Sequence, residues 1–266
     1  MDGFRASYNK ASSWPDTARR GRQIDQSRSA GSAALVVIPE IAAMLGILAP
    51  RIGLINAANG VHAVFDLSLD QILIRAGACV VIAAIHGAVL AAIARGLGDR
   101  GPQFDERLTI NPLSHLDILG AAAMILSQLG WIRPVAIDPA QLRLGRLGLV
   151  IAVVASLAVT LIVAQLLFWL RIPALLTLPI AVTPTVLATL NAAGEMAAWF
   201  VAFNLLPVPP LTGGHLLIAA RPAFMKLLAH YRVQISVLAA ALVLSGVVQP
   251  VVRPIREAIL YVVPGS

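Results

Sequence analysis

Residues 147–170 read LGLVIAVVASLAVTLIVAQLLFWL, an unbroken stretch with no charged side chain. About 20 apolar residues let a helix cross ~30 Å of hydrocarbon at ~1.5 Å per residue. A helix also satisfies its own backbone hydrogen bonds where no water is at hand. The stretch therefore predicts a membrane-spanning helix. Working outward, residues 76–94 are also uncharged, with His86 near the middle, and so are 172–194, 196–220 and 233–252. Residues 32–50 carry a single charge, Glu40.

Composition agrees. The chain is 58% hydrophobic and 12% charged, against about a quarter charged in an ordinary soluble domain. Its mean hydropathy is +0.83. A soluble fold of 266 residues could not bury that much apolar surface. These figures exclude a soluble enzyme, a disordered chain and a disulfide-built secreted domain, since Cys79 has no second cysteine to pair with. In a membrane protein the net charge of +7 reports orientation and contact with anionic lipid, not nucleic acid.

Not every apolar run predicts a crossing. Residues 118–132 would cover only about 22 Å as a helix. They lie between two arginine-bearing stretches, 95–117 and 133–146, which predicts a re-entrant or half-buried hairpin. Pro173, Pro179 and Pro184 predict a broken segment over 172–189, followed by a span from Asn191 to Leu206. Pro250 and Pro254 interrupt the last run, giving a span from Val233 to Val248 and a short interfacial helix from Ile255 to Val263. The first 30 residues hold Arg5, Lys10, Arg19, Arg20, Arg22 and Arg28 without the apolar core of a signal peptide. Placing them inside also puts the arginines of 95–146, and Arg221, Lys226 and Arg232, inside, provided 118–132 does not cross. The fold class that follows is an all-α polytopic membrane protein with about five to six transmembrane helices and a re-entrant segment. Residues 1–32 form a flexible basic cytoplasmic tail, and 33–266 form one integral membrane domain.

Two motifs stand out. One is Phe203-Asn204-Leu205-Leu206-Pro207-Val208-Pro209-Pro210-Leu211-Thr212-Gly213-Gly214-His215. The other is Leu108-Thr109-Ile110-Asn111-Pro112-Leu113-Ser114-His115-Leu116-Asp117, followed by Gly130-Trp131-Ile132-Arg133-Pro134-Val135. The first resembles the Phe-Asn-Leu-Leu-Pro-x-x-Pro-x-Asp-Gly-Gly element of the site-2 proteases, intramembrane zinc metalloproteases. The second resembles the Leu-Thr-Leu-Asn-Pro-Leu-Ala-His-Ile-Asp and Gly-Trp-Ala-Lys-Pro-Val segments of bacterial members. The resemblance runs from about 76 to 220 and implies a site-2 protease-like core in a bacterial inner membrane, with a cytoplasmic N-terminus.

The family's chemistry rests on His-Glu-x-x-His, whose histidines lie on one helix face and grip Zn²⁺. The Glu is general base to the zinc-bound water, and the Asp of Asp-Gly-Gly is the third ligand. Here the matching helix reads His86-Gly87-Ala88-Val89-Leu90. Gly87 has no carboxylate, Leu90 cannot coordinate, and Thr212 stands where the ligand Asp belongs. The Ala-Gly-Pro-Leu-Ala-Asn of the next helix is replaced by Val154-Ala155-Ser156-Leu157-Ala158-Val159. The resemblance thus implies a pseudoprotease, with no catalytic residues and no cofactor, that packs against the transmembrane helices of partner proteins and lipids as an accessory or assembly subunit. The alternative is an active zinc metalloprotease with a divergent metal site.

His86, Leu90, Asn204, Pro207, Thr212, His215 and Glu40 are the candidates for a partner groove. His86 is either a functional group, as ionisable residues in spans often are, or a remnant hydrogen-bonded to neighbouring hydroxyl or backbone groups. His115 and Asp117 read as structural, with Asp117 capping a helix near Ile118, and His215 reads as an interfacial packing residue. A metal site rebuilt from His86, His115 and His215 would need the loop to fold back on two helices. Glu40 faces either Arg75 or lipid headgroups. In the tail, Phe4, Tyr8 and Trp14 leave open a partner-docking arm.

Overall fold

The computed structural model describes residues 67–221 and 230–262, all within one compact unit of the chain, Leu54–Ser266. The basic tail, the run 32–50 and Glu40 lie outside the described residues. The elements are α1 (Leu69–Gly96), α2 (Gly101–Phe104), α3 (Pro112–His115), α4 (Ile118–Ser127), α5 (Gly145–Trp169), α6 (Arg171–Thr177), α7 (Thr183–Asn204), α8 (Gly214–Ala220), α9 (Arg232–Leu244) and α10 (Gln249–Val262).

Among the described residues three helical stretches are long and apolar enough to cross a membrane: Leu69–Gly96, Gly145–Thr177 and Thr183–Asn204. A fourth is possible if α9 and α10, bent by 81°, count as one span. The apolar stretch 147–170 is α5 almost to the residue. α1 extends beyond 76–94 at both ends, and at its start Ser68 and Gln71 close a capping box, each side chain accepting the other's amide N–H at 3.2 Å.

Two expectations need correction. α7 begins at Thr183, not Asn191, because Pro184 falls in its first turn, where a missing N–H costs nothing. Its end at Asn204 lies close to the expected Leu206, and a proline-bearing turn from Leu205 to Gly213 leads to α8. The last helix starts at Gln249 and carries Pro254 inside it, instead of starting at Ile255. α10 packs on α7, where Arg256 stacks over Trp199 at 4.9 Å and lies 3.8 Å from Glu195.

α1, α5 and α7 pack on one another around Ile82, Val153, Leu157, Met196 and Phe200. α4 lies between α1 and α9. Asp117 caps it as its sequence suggests, Oδ1 accepting the Gly120 N–H at 2.9 Å. Gln128, at φ 65°, ends it in the left-handed region, and the chain turns back along the helix. Leu116 and Ile132 then form an antiparallel bridge, and the Arg133 N–H donates to the His115 carbonyl at 2.7 Å. The two ends of 117–131 therefore lie side by side. The return strand needs Gly120, where a Cβ would meet Trp131 Cδ1 at 2.9 Å. The last carbonyls of α4, which have no helical partner, are taken by distant side chains. Arg75 donates to Ile125 and Leu126, and Gln249 to Ser127, each at 3.1 Å. Arg75 thus has partners on α4, whatever faces Glu40.

Candidate functional site

Three elements bring the motif positions together. His86 lies on α1, Ser156 and Thr160 on α5, and Thr212 in the turn between α7 and α8. His86 is fully buried, its ring edge-on to Phe200 with centroids 5.0 Å apart. Its Nδ1 is 2.9 Å from Thr160 Oγ1, and its Nε2 is 3.0 Å from Thr212 Oγ1. The Thr160 hydroxyl donates to the Ser156 carbonyl at 2.9 Å. Its one proton is thereby used, so it accepts from Nδ1–H. Nε2 then carries the lone pair and accepts from the Thr212 hydroxyl. This tautomer is assigned from the network, as hydrogens must be.

Asn204 holds Thr212 in place. Its side-chain amide donates to the carbonyls of Gly130 at 2.8 Å and Phe200 at 3.0 Å, and its Oδ1 accepts the Thr212 N–H at 3.1 Å. Its own carbonyl accepts the Gly213 N–H at 2.7 Å. The Pro209-Pro210 peptide is cis. Leu90, one turn beyond His86, is 1% exposed and packs with Leu149, Ala152, Val135 and Ala219.

The other two histidines approach without joining this pair. His115 is fully buried, its Nε2–H donating to the Thr109 carbonyl at 2.8 Å. Its Nδ1 has no hydrogen-bond partner among the described residues. Burial holds its imidazole below the usual range, and nearby Arg107 adds to this against the Thr109 bond. His215 is also buried, with Nδ1 likewise unpartnered among the described residues, and burial pushes its pKa down to about 4. Among the described residues no group of three or more His, Cys, Asp or Glu is placed to hold a metal.

The donor set does not fit zinc. One imidazole, with both nitrogens engaged by hydroxyls, faces a threonine and an apolar cluster. A catalytic zinc site takes three protein ligands and an open position. Of the groove candidates, His86, Leu90, Asn204, Thr212 and His215 lie in the interior and Pro207 is exposed. Thr160 escaped the sequence reading. Its signal was a hydroxyl four residues after Ser156 in an otherwise apolar helix, which puts both on one face.

Among the described residues an all-helical core carries these motifs at one buried centre, which supports a membrane protein with a distant site-2 protease-like relationship. Among curated proteins, the chain is similar to "Putative zinc metalloprotease YwhC" of Bacillus subtilis (strain 168), at 31% identity over 137 residues. That similarity covers 48% of this chain and 60% of YwhC, so the chain spans less than two thirds of that relative. No family model matches the chain, and no solved structure does.

Proposed function

We propose that this chain is a catalytically inactive site-2 protease-like protein of a bacterial inner membrane, acting as an accessory or assembly subunit. One observation carries the reading: the Nε2 of His86, free to bind metal in an active centre, accepts a hydrogen bond from Thr212 at the position of the family's ligand aspartate. Partner helices would pack on the exposed apolar faces, such as Leu73, Val80 and Val81 of α1 and Val154, Ile162 and Leu166 of α5. Packing between helices in lipid rests on close contact and small residues, and Gly77 on α1 has open space above it. The N-terminus is cytoplasmic in this proposal, and 118–132 is re-entrant, which the pairing of Leu116 with Ile132 supports.

A second reading is an active zinc metalloprotease with a divergent site, the activity that the printed name of YwhC carries for that protein. Metal analysis of the purified full chain separates the two. Zinc far below one per chain, with membrane proteins co-purifying in mild detergent, is expected of the subunit. About one zinc per chain, lost in His86→Ala, overturns it.

A further inference from the structure

We infer that the face formed by α7 and α10 around Glu195, Arg253 and Glu257 receives a transmembrane helix of a partner protein, one that carries an acidic and a basic side chain one turn apart. The inference rests on the reading of the chain as a subunit that packs against partner helices, and names a face and the chemistry of what meets it.

Two rulers fix the depth of this face. His86 lies near the middle of the uncharged run 76–94 of α1, and the Phe200 ring of α7 is 5.0 Å from it. Glu195 is the thirteenth of the 22 residues of α7, so about 18 Å of helix precede it and about 14 Å follow. Both rulers place Glu195, Trp199 and Phe200 well inside a span. Arg256 lies at the same level, its guanidinium 4.9 Å from the Trp199 ring and 3.8 Å from Glu195. α10 therefore runs beside the interior of the span and not at its edge.

Charge at that depth is costly against lipid. Snorkelling does not relieve it, because the side chain must have an interface within reach. Yet the face is open. The Glu195 side chain is 49% exposed. Arg253, Glu257 and Tyr261, spaced by four on one side of α10, are all exposed. Neither Arg253 nor Glu257 has an ion-pair partner among the described residues. The contact between Glu195 and Arg256 is too long for a hydrogen bond, and Arg256 Nε is buried without a partner among the described residues. The apolar faces of α1 and α5 suit lipid or an apolar helix, and this face suits neither. It offers a cation and an anion one turn apart, and a helix bearing an acid and a base at the same spacing answers both.

The test uses the full chain, labelled with a dye at its N-terminus, in phosphatidylcholine vesicles. The probe is a synthetic Leu-Ala helix of about 20 residues, with Asp and Lys four positions apart at its centre. A control helix has alanine at both positions. By energy transfer, the charged probe is expected to associate roughly tenfold more tightly than the control. The Arg253→Ala/Glu257→Ala double variant, altered only at exposed positions, is expected to lose that preference. Equal association of the two helices with the unmodified chain overturns the inference, and so does a preference that survives in the double variant. Energy transfer between two labelled populations of the chain without probe, lost in the double variant, assigns the face to a second copy and also overturns it. Any of these failures would leave the non-catalytic reading standing, because the zinc content of the unmodified chain decides that separately.

Discussion

Two neighbouring parts of the buried centre have fared differently. Around Asn204 one side chain ties the turn to its neighbours. The amide ties α7 to Gly130 and to Phe200 and fixes the amide of Thr212. Around His86, three of the four positions to which the resemblance would assign chemistry hold groups of other kinds, and each is accommodated. Thr212 bonds the histidine, Leu90 fills an apolar cluster, and Gly87 lies under His115. The contrast separates what a fold needs from what a reaction needs. Scaffold residues are held by bonds to several elements at once. The residues at 87, 90 and 212 are each held by what the interior around them offers.

The comparison can be broken most directly at Asn204. Asn204→Ala should cost about 3–5 kcal/mol, because it strands a buried carbonyl and a buried amide together. Denaturation in detergent would measure it, and a loss below ~1 kcal/mol would show the turn held by other means. At the His86 side, Thr212→Val should cost only about 1–2 kcal/mol by leaving Nε2 unpaired. Thr212→Ser should restore most of that, and equal effects from Val and Ser would show that the hydroxyl bond contributes nothing. The smallest effect is a pH slope. The pKa of His215 falls from 6.5 to about 4 on burial. Above pH ~6.5 both folded and unfolded forms are neutral, and the residue makes no pH-dependent contribution. As pH falls from there toward ~4 the unfolded chain takes up the proton first, so stability declines across that window. His215→Gln should flatten the part of the decline due to this residue, read as the midpoint between pH 7 and pH 5.

Much of the scaffold was legible in the chain itself. An uncharged run from 147 to 170 names its helix because charge in lipid is expensive, and Asp117 names the start of α4 by its side-chain acceptor. Pro184 misled because the same ring that breaks a helix interior suits its first turn. The absence of a carboxylate at 87 was visible, since a glycine where the resemblance would put a base is a local fact. That His115 lies over Gly87 was not, because its seat depends on a loop 28 positions later folding back on α1. The Thr160 bond was hidden for a similar reason, since periodicity says which face a hydroxyl lies on but not what it meets.

The C-terminal end of α4 carries a consequence for how the protein is made. Its last carbonyl is taken by Gln249, 122 positions further along. At ~5–20 residues per second the ribosome needs roughly 6–24 s to reach that glutamine. Until then Arg75, made earlier, can serve the Ile125 and Leu126 carbonyls, while the Ser127 carbonyl lacks its glutamine. The hairpin can settle in its final seat only after the last two helices arrive, so this part of the chain is completed from its far end.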